Sequence, residues 1–166
     1  MRLFSQQIRR ILNRSRIIRK AQIAMHRVQG KQLVHFLHIG KTGGTAIKYA
    51  LRNYLVNSRY VICLHGHEVR LPDIPRGECV MFVVRDPILR FVSAFYSRQR
   101  QGQPRVFIPW TPEEKKAFEY FSTPNQLAMA VSSHNKAERE RAYSAMKHID
   151  HVKSSYWDWF IDEEYF

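Results

Sequence analysis

Apolar and polar positions divide the chain into a strand-forming stretch followed by a helix-forming one. Residues 34–39 (Val-His-Phe-Leu-His-Ile) are an apolar run that ends at Gly40. After the turn Gly40-Lys41-Thr42-Gly43-Gly44, apolar side chains recur at Ile47, Ala50, Leu51, Tyr54 and Leu55. That is the i, i+3, i+4, i+7, i+8 spacing of one helical face, and it predicts a helix over 46–56 with Thr45 as its N-cap. Two further runs, 60–64 (Tyr-Val-Ile-Cys-Leu) and 79–84 (Cys-Val-Met-Phe-Val-Val), are apolar throughout. Continuous runs separated by crossovers predict a parallel sheet buried on both faces. Beyond them the start signals are helical: Asp86-Pro87, Thr111-Pro112, Thr123-Pro124 and Asn135. The first three each set a capping side chain at the head of a helix with proline at the first helical position, and a last helix is expected from Asn135. The first of these helices is expected over 87–98, closed by Gly102 and Pro104, and the last to reach Ile149. The pattern predicts an α/β fold with a central parallel sheet and a helical C-terminal part.

Residues 1–31 stand apart as a basic helical arm. Leu3, Phe4, Ile8, Ile11, Leu12, Ile18 and Ile23 recur at near-helical spacing, and Arg9, Arg10, Arg14, Arg16, Arg19, Lys20 and Arg27 fill much of the remainder. Such an arm suits the surface of an anionic membrane. It equally suits a solvated helix packing one face on the domain, and its composition also matches a transit peptide. The chain has no run of about 18 apolar residues, so no membrane span is expected, and its N-terminus lacks the apolar centre of a signal peptide. The expectation is a cytoplasmic protein with peripheral contact at the inner membrane surface through 1–31. Residues 32–166 form one domain by length.

Charge sharpens this picture. Lys and Arg total 27 against 14 Asp and Glu, a net charge of +13. Residues 1–67 hold thirteen of the basic residues and no acid; the first is Glu68. The excess therefore lies with the arm and the glycine turn, which suits an anionic ligand. Charge alone admits nucleic acid or anionic lipid as partners. Cys63 and Cys79 sit at apolar strand positions and are expected as buried free thiols. With no CxxC, and with His65 and His67 near no acid but Glu68, no metal site is expected.

Strand, glycine turn and helix N-terminus make an anion cradle, because backbone N–H groups and the positive end of the helix dipole converge there. Lys41 lies in the turn, and Lys48 falls in the first turn of the expected helix, with no acid to offset either. A triphosphate loop, G-x-x-x-x-G-K-[ST], would need glycine where His35 stands. Here the glycines follow the lysine instead. Asp86, between Arg85 and Pro87, suits a helix cap better than a magnesium ligand.

The order Lys41-Thr42-Gly43-Gly44-Thr45 resembles the 5′-phosphosulfate loop of the sulfotransferases that use 3′-phosphoadenosine-5′-phosphosulfate (PAPS), with Gly40 in place of their common proline. Arg85-Asp86-Pro87, with Ser93 eight residues beyond the arginine, resembles their 3′-phosphate segment. His65-Gly66-His67 resembles a motif of several carbohydrate sulfotransferases. The resemblance covers residues 33–100 well and 101–160 loosely. It implies a three-layer sandwich around the parallel sheet and a domain, 32–166, that is incomplete at its C-terminal end.

It further implies that Lys41, Thr42, Gly43, Gly44, Thr45 and Ala46 hold the 5′ side of PAPS, or of its product adenosine 3′,5′-bisphosphate, while Arg85 and Ser93 hold the 3′-phosphate. His67 would act as the base, with His65 in support and Lys41 neutralising the leaving oxygen, in a metal-free displacement at sulfur. The acceptor would be a hydroxyl of a carbohydrate or glycolipid, with Arg105, Trp110 and Lys153 as candidate contacts, and nucleic acid is disfavoured as a partner. Two other readings stand beside this one: an atypical nucleotide-dependent kinase, and a truncated, non-catalytic anion-binding protein.

Overall fold

The computed structural model describes residues 23–54, 56 and 59–160. The chain divides into two compact units, one spanning Met1–His38 and Thr45–Phe82, the other Ile39–Gly44 and Val83–Phe166. Among the described residues the class is α/β, with a small parallel sheet and several helices.

In the first unit, β1 (Gln32–Phe36), β2 (Tyr60–Leu64) and β3 (Cys79–Met81) form a parallel sheet in the order β2-β1-β3. Val34 pairs with Ile62 on one side and with Cys79 on the other. β2 spans the run that the sequence predicts, and β3 is half as long as expected. The sheet is not buried on both faces: Cys79 on β3 is exposed, and the rest of the expected run, Phe82 to Val84, lies beyond the strand. Cover differs between the two edge strands: Val61 and Cys63 of β2 are buried with Leu33 and Ile23, whereas Cys79 of β3 lies outside that cluster. Cys63 is buried and Cys79 exposed, both as free thiols.

Residues 23–28 are helical, and Ile23 packs on Leu33, Val61 and Cys63. The described end of the arm therefore lies on the sheet. Residues 1–22, which carry most of the lipid-surface and transit-peptide expectation, lie outside the described residues. No described helix is long and apolar enough to cross a membrane.

Helix α1 (Gly44–Leu51) opens two residues earlier than expected and is followed by a 3-10 turn, Arg52–Tyr54. Two expectations change with it. Thr45 lies inside the first turn instead of capping it, and Gly43, at φ 85°, occupies the preceding position in a conformation that favours glycine. Lys48 lies in the last turn, where the partial negative end of the helix suits a cation. Its argument for an anion lapses. The apolar stripe is also less covered than its spacing predicts, with Tyr54 70% exposed.

The second unit is helical beyond its loop: α2 (Pro87–Gln99), α3 (Pro112–Tyr120), α4 (Pro124–Val131) and α5 (Lys136–His148). Each starts where the sequence places it. Asp86 accepts from Leu89 N–H, Thr111 and Thr123 form capping boxes with Glu114 and Gln126, and Asn135 caps α5. Phe95, Phe121, Leu127 and Ile149 centre the core, with alanines 117, 130, 142 and 145 letting the helices approach. A buried ion pair locks it: Arg98 Nε donates to Glu114 Oε1 at 2.7 Å and Nη2 to Oε2 at 2.5 Å. Glu114 also accepts from the N–H groups of Thr111 and Asp150. A buried pair holds only when its remaining lone pairs are satisfied in this way.

Candidate functional site

The glycine loop belongs to the second unit, and its backbone is unusual. Lys41 sits at φ 68°, in the left-handed region. A non-glycine residue there costs about 1–2 kcal/mol and persists only where neighbours enforce it. The enforcing contacts flank it. Thr42 Oγ1 donates to the carbonyl of Ile39 at 3.0 Å, and the carbonyl of Gly40 accepts from Arg90 Nε at 2.9 Å. Thr42 is buried, so its hydroxyl closes the loop and only its backbone N–H remains for a ligand. A Cβ at Gly40 would meet His151 and Trp159 at 3.7 Å, an ordinary contact. Gly43, Thr45 and Ala46 are exposed.

Arg90 is the post on which the loop rests. Its side chain is 7% exposed, Nη1 donates to Ser154 O at 2.7 Å, and its guanidinium lies 4.9 Å from the Tyr156 ring and 5.6 Å from that of Trp159. Burial lowers its pKa, opposed by Tyr156 and Asp158. Its Nη2 is buried with no hydrogen-bond partner among the described residues.

Arg85 is held at its backbone by the Tyr156 hydroxyl, which donates to Arg85 O at 2.6 Å and accepts from Arg85 N at 3.0 Å. That leaves the exposed Arg85 side chain to solvent, beside the capped start of α2, on which Ser93 is half-buried. Burial, followed by the charges of Arg100, Arg105 and Arg85, lowers the pKa of Lys41. Among the described residues, none of the groups that shift Lys41 is acidic. Four cations thus share one field, an arrangement that an anion stabilises.

In the first unit, His65 and His67 flank Gly66. The carboxylate of Glu68 lies over Gly66 so closely that a Cβ there would fall 2.0 Å from Oε2. His67 Nδ1 donates to the carbonyl of His38 at 2.9 Å, and the two rings stack at 3.8 Å. With the proton on Nδ1, the lone pair of neutral His67 is at Nε2, the form that can take a proton. His65 Nε2 lies 2.8 Å from His35 Nδ1, and His35 Nε2 lies 2.5 Å from Glu78 Oε2.

The sequence-predicted residues therefore fall in two sets. Lys41, Thr42, Gly43, Gly44, Arg85 and Ser93 belong to the second unit; Thr45, Ala46, His65 and His67 belong to the first. Of the suggested acceptor contacts, Trp110 serves the fold: its Nε1 donates to Arg98 O at 2.7 Å and its ring packs on Phe118. Lys153 pairs with Asp150 at 3.9 Å. Arg105 is exposed and contributes to the charge around Lys41.

Sequence reasoning missed the clamp made by Arg90 and Tyr156. Arg90 shares a helical face with Ser93, and that spacing was the available signal. It also missed His35 and Glu78, for which no local pattern exists. A groove of about 600 Å³, lined by Tyr120, Gln126, Met129, Ser133, His134 and Glu138 among others, contains none of the motif residues. Comparison with protein-family models, with curated proteins and with solved structures returns no match.

Proposed function

We propose that this chain binds PAPS and transfers its sulfuryl group to a hydroxyl of a carbohydrate or glycolipid, on a P-loop-like sulfotransferase fold that is a three-layer sandwich around the parallel sheet. The observation that carries this reading is the loop of the second unit. There Lys41 is held in a left-handed conformation, in the shared field of Arg85, Arg100 and Arg105. Strain and like charge coincide at one point, as expected of a cradle built for an anion.

The donor set fits a ligand with two phosphate groups. Lys41, the backbone N–H groups from Thr42 to Ala46 and the Thr45 hydroxyl would take the 5′ side. Arg85, with its fork of donors, and Ser93 would take the 3′-phosphate. When bound, PAPS supplies an activated sulfuryl group and a bisphosphate leaving group. Lys41 neutralises charge on the bridging oxygen, and the His65/His67 pair accepts the proton of the acceptor hydroxyl. Asp86 is engaged as the cap of α2, so the reading assigns it no metal.

The test is transfer of labelled sulfate from PAPS to a panel of simple glycosides and glycolipids. The expected result is label on an acceptor, reduced about a hundredfold or more when both histidines are replaced by alanine. Transfer that is unchanged in the double variant would contradict the assignment of the base.

A further inference from the structure

The first unit contains a chain of hydrogen bonds for which the motif gives no reason. Glu78, the residue before β3, receives His35 Nε2 at 2.5 Å, and His35 Nδ1 meets His65 Nε2 at 2.8 Å. The two imidazole rings are within 5° of parallel. His35, on β1, is 4% exposed. The other carboxylate oxygen of Glu78 is paired with Arg27, from the helical residues 23–28. Glu78 is thereby held from both sides, with Oε2 turned to His35.

The donor and acceptor roles follow from chemistry. A carboxylate only accepts, so His35 Nε2 must carry a proton. In neutral His35 this makes Nδ1 an acceptor, and His65 must then donate its Nε2–H. The basic lone pair of neutral His65 is left on Nδ1. His67 is arranged differently, because its Nδ1–H is held by the neutral carbonyl of His38. The chain behind His65 ends in a carboxylate.

We propose that His65 is the proton acceptor of the His65/His67 pair, and that His35 and Glu78 are positioning residues that set its tautomer and hold the charge it acquires. This deepens the sulfotransferase reading and rests on it for the source of the proton. In the step, the O–H bond of the acceptor hydroxyl breaks, its electron pair stays on the oxygen that attacks sulfur, and an N–H bond forms at His65 Nδ1. The Nε2 proton of His65 then passes to His35 Nδ1. His65 returns to neutrality and His35 becomes an imidazolium against Glu78. Among the described residues, the charged or titratable groups placed around the chain include Arg27 on the far side of Glu78, Glu68 over Gly66, and the stacked His38 and His67. Carboxylate-backed imidazoles of this kind favour the protonated state during a reaction without the carboxylate itself being protonated.

The experiment has two parts. Long-range proton–nitrogen correlation spectra of the isotope-labelled full chain, without ligand and near neutral pH, should show His35 and His65 both neutral with the proton on Nε2. His65 with its proton on Nδ1 would overturn the proposal, because the relay would then be charged at rest or reversed. In transfer assays, Glu78→Gln and His65→Ala should each lower kcat about tenfold or more with the KM for PAPS unchanged, and Glu78→Asp should recover part of the loss. Wild-type kcat in Glu78→Gln would also overturn it. A wild-type chain that fails to bind adenosine 3′,5′-bisphosphate would sink the sulfotransferase reading instead, and the spectra distinguish that failure from failure of the relay.

Discussion

Arg90 donates its Nε–H to the carbonyl of Gly40 at 2.9 Å, across 50 residues of sequence. The same guanidinium reaches Ser154 O, so one buried side chain joins the glycine loop to α2 and to the segment after α5. Loop geometry, including the left-handed Lys41, is thus tied to the packing of the second unit. A cradle held in advance loses less ordering entropy when an anion arrives.

Removing that fork should loosen the loop and weaken the unit. Arg90→Met leaves two carbonyl acceptors without their donors, at a cost of about 1–3 kcal/mol for each that stays buried. Urea unfolding should therefore show a loss of about 3 kcal/mol. Arg90→Lys should recover less than half, since an ammonium has neither the planar fork nor the stacking on Tyr156 and Trp159. Wild-type stability in Arg90→Lys would mean that charge alone, not geometry, holds the loop.

Lys41 should separate stability from binding. Lys41→Gly relieves the left-handed strain, partly offset by glycine's greater freedom when unfolded, for a net gain of about 0.5–1 kcal/mol. Anion binding should weaken in the same variant. The pH dependence has a definite sign. Burial first, then the neighbouring arginines, lower the pKa of Lys41. Between the lowered folded value and the ordinary lysine value, the unfolded chain binds more protons, so stability rises with pH. That rise, followed by denaturant melts across the alkaline range, should be absent in Lys41→Ala. An identical rise in the variant would assign it to other groups.

The Arg98–Glu114 pair predicts the acid side. Burial tends to raise the pKa of Glu114, but hydrogen bonds from Arg98 and from the N–H groups of Thr111 and Asp150 outweigh it and leave the carboxyl below its ordinary value. The pair's contribution is present above the unfolded carboxyl value and is lost as pH falls through the folded one. Glu114→Gln leaves Arg98 buried without its counter-ion and should cost about 3–5 kcal/mol at neutral pH. Its unfolding midpoint should then vary less between pH values near neutrality and in acid. A stable Gln variant would show that the guanidinium is satisfied by Ile108 O and Pro109 O, its other acceptors.

Legibility followed the range of the interactions. The caps at Asp86, Thr111 and Thr123 are local chemistry and lie where the sequence places them, and the last helix follows Asn135 as expected. The run at 60–64 is a strand over its full length. Errors arose where tertiary cover decides the outcome. Cys79 looks like a core position and is exposed, because it lies outside the cluster of Ile23, Leu33, Val61 and Cys63 that covers the sheet. Thr45 looks like a cap, but Gly43 allows the helix to begin at Gly44. Of the candidate site, the loop, Arg85, Ser93 and the two histidines were legible as motifs. Arg90 with Gly40, and Glu78 with His35, are contacts 50 and 43 residues long, and no spacing rule reaches that far.

The central claim is that the glycine loop binds the bisphosphate end of PAPS. Isothermal titration of the full chain with adenosine 3′,5′-bisphosphate, and in parallel with ATP and magnesium, tests it most directly. The account predicts saturable binding of the bisphosphate, weaker binding of ATP, and a loss of about tenfold or more in bisphosphate affinity in Lys41→Ala, as expected for losing a charge-assisted contact to phosphate. Preference for ATP with magnesium, or binding of neither ligand, would contradict it.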